Sequence, residues 1–251
     1  MGLGGTKNLW AFTRPRPLDP VFIFAGQNGG ATLIHWHRSD RGVHLTGSLV
    51  DQWDDLSGNG WHATGVTTTR PLYTASDSSI SNYPSINLAK SPATKLTIAG
   101  LNLPAPGTTP TWLCAVLRYR TWTNNTQLIG GISASRQALW LQPSAAPNMS
   151  IISGGTAGQT NKALALNQWG RCEGYFNNAN SDYSMVRGFL FRGPGAGTGN
   201  GTATGRQLNG GGTGAATDWD IVEWYECAGT PTLAQFALNA RYLGLPDQPS
   251  V

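Results

Sequence analysis

Charge is scarce in this sequence. Asp, Glu, Lys and Arg together make up 12% of 251 residues, against ~25% in an ordinary soluble domain. The formal charge of +4 arises because acids are few, not because bases cluster. The densest basic stretches, Arg14-Pro15-Arg16 and Arg118-Tyr119-Arg120, hold two Arg each. Arg118 and Arg120 share one face of a strand-like run, where such a pair ordinarily solvates the sheet. Nucleic acid is therefore not an expected partner. The three cysteines, Cys114, Cys172 and Cys227, are far apart, form no C-x-x-C and sit in apolar runs. That spacing excludes a zinc ribbon or dithiol redox motif and predicts buried free thiols, as in a protein made in a reducing cytoplasm. No apolar run approaches a membrane span, and no charged n-region leads into an apolar stretch, so neither membrane insertion nor a signal peptide is expected. The Asn-x-Ser/Thr matches at Asn124, Asn148 and Asn200 are read as chance in an Asn/Thr-rich chain.

What is abundant is Gly, with 33 residues, and aromatics, with 10 Trp, 7 Tyr and 7 Phe. From Ala31 onward, short β-branched and aromatic runs alternate with Gly, Asn and Ser turns, a cadence that predicts an all-β domain. The expected strands include Thr111–Tyr119, Gln127–Ile132, Gln137–Leu141, Ser150–Ile152, Arg171–Phe176, Tyr183–Phe191 and Asp220–Tyr225. Arg192–Gly214 is expected to be a long loop. One helix is predicted over 230–243, with Thr230 as N-cap, Pro231 in its first turn and Leu233, Phe236, Ala237, Ala240 and Leu243 at helical spacing; Gly244 closes it. Residues 1–30 read as an extended arm with a short strand at Val21–Phe24, leaving 31–251 as one domain.

Two stretches carry a resemblance. His37-Arg38-Ser39-Asp40-Arg41-Gly42-Val43, followed by Val50-Asp51-Gln52-Trp53-Asp54-Asp55-Leu56-Ser57-Gly58-Asn59-Gly60-Trp61-His62-Ala63-Thr64, resembles the opening of laminin-G-like, concanavalin A-like domains. Such domains are common in bacterial surface proteins and phage virion proteins. Ile221–Tyr225 with the helix after it is similar to that family's last strand and terminal helix. The resemblance implies a jelly-roll sandwich of two antiparallel sheets. It also implies a non-enzymatic virion protein of a bacterial virus, assembled in the host cytoplasm as a homo-oligomer with other capsid or tail proteins. In that setting Trp10, Phe12, Phe22 and Phe24 of the arm would contact a neighbour, and a sugar-binding face is compatible with the fold. The alternative is a freestanding carbohydrate-binding module of a bacterial surface protein or glycan-active enzyme.

For glycans, Trp61, Tyr73, Trp122 and Trp140 are the candidate stacking platforms, since they flank turns or lie on sheet faces. Asp54 and Asp55 beside Ser57-Gly58-Asn59-Gly60 are read as caps of a sharp turn. Calcium is the weaker reading, because it takes six or more oxygens and few other acids are near in sequence. His35 and His37 share a strand face, but a closed metal site needs two further ligands, so they are read as neutral surface or turn histidines and no cofactor is expected. Hydrolysis of a glycan needs two close carboxylates. Only three Glu are present; along the last strand Asp220 and Glu226 are roughly 20 Å apart at ~3.3 Å per residue. Glu223 faces away from both unless a bulge intervenes. No catalytic residues are assigned.

Overall fold

Strands form where β-branched and aromatic side chains pack on a pleated surface, and where Gly or Asn lets the chain reverse between them. The computed structural model describes residues 19–25, 30–104, 109–121, 126–132, 137–141, 149–153, 156–159, 165–176, 183–186, 189–192, 204–209 and 217–242. The strands are β1 (Thr32–Arg38), β2 (Val43–Thr46), β3 (Leu49–Trp53), β4 (Ala63–Gly65), β5 (Leu72–Asp77), β6 (Tyr83–Leu88), β7 (Leu96–Asn102) and β8 (Thr111–Tyr119). They continue with β9 (Thr126–Gly131), β10 (Gln137–Leu141), β11 (Met149–Ser153), β12 (Thr156–Gln159) and β13 (Gly170–Phe176). Last come β14 (Tyr183–Val186), β15 (Phe189–Arg192), β16 (Thr204–Leu208) and β17 (Trp219–Ala228).

Among the described residues the strand pairings are antiparallel. One arm of the sheet runs β2-β3-β4-β7-β16-β9-β10-β11-β12. The other runs β5-β6-β17-β8-β13-β14-β15, with β1 continuing β6 along the same edge of β17. The two separate sheets of a jelly roll are not what the hydrogen bonding gives. A pairing of Leu49 with Leu72 joins the arms into one curled sheet. Between the arms lies the main core, which includes Trp53, Ile86, Leu88, Ile98, Leu113, Leu117, Ile129, Trp219, Ile221 and Trp224, all essentially buried. Burial of each such side chain contributes about 1.5–3 kcal/mol, which is what closes the curl.

Three local expectations are corrected. Val21–Phe24 is not a strand: Pro20–Ile23 is one helical turn, started by the fixed φ of Pro20 after Asp19. Ile23 and Phe24 are buried there, with the Phe24 ring edge-on to Trp112 at 5.7 Å. Tyr183–Phe191 is two strands, β14 and β15, paired as a hairpin from Val186 opposite Phe189. Part of the expected loop Arg192–Gly214 is β16, which fills the space between β7 and β9. Gly205 makes this possible: its φ is +90°, and a Cβ there would lie 2.6 Å from the Ile98 carbonyl oxygen.

The predicted helix is present as Leu233–Tyr242. Its cap is Thr232, not Thr230. The Gln235 amide donates to Thr232 Oγ1 at 3.1 Å, and the Thr232 amide donates to Gln235 Oε1 at 3.0 Å, a reciprocal box built with a neutral amide. Gln235 also donates to the carbonyl of Ala31 at 2.8 Å and accepts from its amide at 3.1 Å, tying the helix to the start of β1.

Candidate functional site

Side chains alternate along a strand, so the central strands present one face to the core and one to the helix. A bulge in β17, between Ile221 and Glu223, breaks that alternation. Trp219, Ile221 and Trp224 face the core, whereas Val222 packs with Ile80, Tyr83 and Val116 on the other side. Asp220 and Glu223 therefore share the helix face, and Glu226 points into the core. Asp220 and Glu226, expected as a distant pair on one strand face, lie on opposite faces.

On the core face Glu226 is fully buried beside Arg206. Nε of Arg206 donates to Oε1 at 2.8 Å and Nη2 to Oε2 at 2.9 Å. Burial alone would raise the Glu226 carboxyl, but the Arg206 charge outweighs it and holds the group at about 2. His35 and His37, expected at the surface, are wholly buried against Trp224. Burial, then the neighbouring His35, lowers His37 to about 3, so its ring is neutral.

The helix face is read in rows across β13, β8, β17 and β1. The first row is Tyr175, Trp112, Cys227 and Leu33; the second is Glu173, Cys114, Tyr225 and Trp36. The third is Arg171, Val116, Glu223 and Arg38. Beyond the bulge comes Arg118 opposite Asp220, with Asn87 of β6 beside it. The terminal helix covers the first two rows. Asn239 accepts from the Tyr225 hydroxyl at 2.5 Å, and Tyr242 donates to Glu223 Oε1. Trp36 Nε1 donates to the same oxygen at 2.9 Å.

The third row lies between the helix and a 3-10 turn, Ser78–Ile80, whose Ile80 packs with Tyr83 and Val116; Trp169 rests on that cluster. Arg38 donates to the Tyr83 hydroxyl and to Asp40, each at 2.7 Å. Arg171 pairs with Glu173. The row past the bulge is more open. Asp220 accepts from Arg118 Nε at 2.8 Å and Asn87 Nδ2 at 2.7 Å. Arg118 lies 4.9 Å from the Trp169 ring centre, and Trp169 Nε1 donates to Ser79. The result is a buried strip of alternating acids and arginines with Trp36 and Tyr83 along it, partly exposed only where Arg118 and Trp169 meet.

The residues singled out from the sequence lie elsewhere or outside the described residues. Trp61 and Tyr73 are half-buried and pack on the main core; the Tyr73 hydroxyl donates to the Ser39 carbonyl at 3.1 Å. Trp122 lies outside the described residues, and Trp140 is on β10 with its side chain outside them. Trp10 and Phe12 also lie outside. Phe22 is 66% exposed, whereas Phe24 is buried in its own chain's core. Asp55 behaves as a turn cap: its carboxylate accepts from the amides of Trp36, Ser57 and Trp61 and from Ser57 Oγ at 2.9–3.0 Å. Asp54 accepts from Gln52 and meets His44 at 2.8 Å. Gly58 and Gly60 take the positive φ that the turn requires. All three thiols are free and buried. Among the described residues no cluster of His, Cys, Asp and Glu is arranged to hold a metal. Sequence reasoning missed Arg171, Glu173, Trp36 and Trp169; period-two spacing marks Arg171 and Glu173 as facing alike, but only pairing with β8 places them beside Glu223.

No protein-family model matches the chain, and no characterised protein sequence matches it either. Solved structures do. A GH54 α-L-arabinofuranosidase superposes with a TM-score of 0.66 at 12% identity, over 90% of this chain and 65% of that one. Domain 4 of AbnA, a GH43 extracellular arabinanase from Geobacillus stearothermophilus in complex with arabinotriose, gives 0.56 at 16%, over 82% and 98%. The botulinum neurotoxin serotype G binding domain gives 0.59 at 11%, over 84% and 50%. The chain thus spans about two thirds of the arabinofuranosidase and half of the neurotoxin domain. At these identities the likeness is one of fold, an all-β lectin-like architecture shared with sugar-binding and glycosidase domains and with the binding domains of toxins.

Proposed function

We propose that this chain is a non-enzymatic glycan-binding domain whose ligand lies at the partly exposed end of the strip, where Arg118 and Trp169 meet. The observation that carries this is Trp169, partly exposed, with the Arg118 guanidinium 4.9 Å from its ring centre and Asp77 and Asp220 paired with that guanidinium. A sugar ring offers hydroxyls that both donate and accept, and C–H faces that stack on aromatics. Trp169 beside Arg118, Asp77 and Ser79 suits that chemistry. The fold neighbours include a domain holding arabinotriose. On a glycan array, the intact chain is expected to bind, with Trp169→Ala weakening binding roughly tenfold or more. An array with no bound glycan would remove this reading.

A glycoside hydrolase is the second reading, and one observation favours it. Glu173 and Glu223 share a face, one row and two strands apart, on a fold that also serves an arabinofuranosidase. Release of reducing ends from a bound polysaccharide, abolished by both Glu173→Gln and Glu223→Gln, would favour it over binding.

We place the domain in a bacterial-virus particle, on the resemblance carried by His37–Val43 and Val50–Thr64, with the residues before Ala31 docking it to neighbouring head or tail proteins. Pro20, Ile23 and Phe24 pack into the domain, so the informative deletion is 2–18, which leaves Phe24 in place. Loss of particle incorporation by a deletion variant that still folds is the expected result; full occupancy would remove the docking role.

A further inference from the structure

Strand pairing extends the open end beyond Arg118. Leu72 of β5 lies opposite Asn87 of β6, Asn87 opposite Asp220 of β17, and Asp220 opposite Arg118 of β8. Directly paired residues present their side chains to one face, so these four form a single row. An apolar side chain stands at each end. Leu72 is 46% exposed, and at the far end Arg118 meets the partly exposed Trp169. Thr74, Asn87 and Arg118 between them are partly exposed as well, and Ser79 is exposed. Three strand spacings of ~4.8 Å separate Leu72 from Arg118, about 14 Å in all, roughly the length of three linked sugar rings.

The charges along this row are already matched. Arg118 engages both Asp77 and Asp220, and Nε of Arg120 lies 3.2 Å from Asp220. Asp220 is fully buried, so a ligand anion that drew either arginine away would leave a buried carboxylate uncompensated. Neutral hydroxyls require no such exchange. Thr74 Oγ1 donates to Asn87 Oδ1 at 2.6 Å, and both oxygens keep lone pairs that can accept from a sugar hydroxyl. Trp169 is held in place by the bond from its Nε1 to Ser79. We propose that the row from Leu72 to Trp169 binds an uncharged, unbranched glycan of about three units laid across the strands. One ring stacks on Trp169, the middle unit meets Asn87 and Thr74, and the last rests on Leu72. This rests on the glycan-binding reading and names its substrate class: neutral chains are bound, and uronic-acid or sialylated ones are rejected.

Charge and length are tested separately. On the glycan array, neutral glycans are expected to be retained, with uronic-acid and sialylated ones held roughly tenfold or more weakly. Calorimetric titration of the intact protein then uses oligomers of each neutral sugar retained, the xylose, glucose and galactose series included, from monosaccharide to pentasaccharide. Affinity is expected to rise to about the trisaccharide and to level off beyond it. Leu72→Ala is expected to weaken the trisaccharide roughly fivefold and to leave the disaccharide unchanged, with cooperative melting showing that the variant folds. Acidic glycans held as tightly as neutral ones overturn the assignment of an uncharged ligand. Affinity that is level from the monosaccharide onward, or trisaccharide binding untouched by Leu72→Ala, overturns the extended row. Each of those results leaves a sugar on Trp169 in place. Failure of every arrayed glycan and every oligomer to bind overturns both.

Discussion

At the scale of single residues, the polar groups that matter most are those whose partners are fixed by burial. Asp55 gathers three backbone amides and a hydroxyl, so Asp55→Ala leaves several donors stranded in a half-buried turn. A loss of roughly 2–4 kcal/mol is expected in urea unfolding; a change under ~0.5 kcal/mol would show that water replaces the carboxylate freely. Glu226 and His37 make stability depend on pH in one direction. The Glu226 carboxyl is lowered from 4.5 to about 2 in the fold, so its contribution is complete above 4.5 and is lost as pH falls toward 2. His37 is lowered from 6.5 to about 3. The unfolded chain takes up that proton first, so stability falls from 6.5 downward and stops falling on this account below 3. The urea midpoint should be level from pH 8 to 7 and decline steadily below 6.5. A midpoint unchanged down to pH 4 would contradict the buried neutral His37. At neutral pH, Glu226→Gln is expected to cost roughly 3–5 kcal/mol, because it removes the carboxylate charge that faces the Arg206 guanidinium in the core.

At the scale of elements, small side chains and caps decide where segments begin and how closely they approach. Thr232→Ala removes one half of the helix cap and should cost ~1 kcal/mol. Gln235→Ala should cost more, roughly 2–3 kcal/mol, since the same side chain also satisfies both backbone groups of Ala31. Equal losses for the two would mean that the link to β1 adds nothing. Gly205→Ala puts a Cβ against a backbone carbonyl at a positive φ, and a thermal shift downward by several degrees is expected. Much of this level was legible in advance. Ser57-Gly58-Asn59-Gly60 reads as a sharp turn because Gly tolerates positive φ, and the helix reads from its 3.6-residue spacing. The hairpin within Tyr183–Phe191 and the strand at Thr204–Leu208 were not legible. The first is an uninterrupted apolar run, and the second is short, polar and set in a Gly-rich stretch, stabilised by β7 and β9 rather than by its own propensity.

At the scale of the whole molecule, the ends of the described chain close the structure. β1 and β17 pair, and the helical turn at Pro20–Ile23 and the terminal helix cover Trp112, Cys114 and Tyr225. Burial raises the Cys114 thiol to about 12, so neither access nor ionisation favours its reaction. In the folded chain the three thiols are expected to be inert to an aromatic disulfide reagent until unfolding. Ending the chain after Ala228 should release Cys114 and Cys227 first, with Cys172 of the main core slower. Rapid reaction of any thiol in the intact folded protein would contradict the described packing.

The sequence by itself determined the all-β class, the central strands Thr111–Tyr119 and Asp220–Tyr225, the free thiols, the capped Asp55 turn and the existence of one helix. Each is written in neighbouring residues, through period-two or 3.6-residue patterning or turn chemistry. Only the tertiary structure decided that the sheet is one curled surface and that His35 and His37 are interior. It also decided that a bulge divides Asp220 and Glu223 from Glu226, and that Arg171, Glu173, Glu223 and Arg38 form one strip. Those facts depend on strand partners distant in sequence, and a one-residue change of alternation moves every later side chain to the other face.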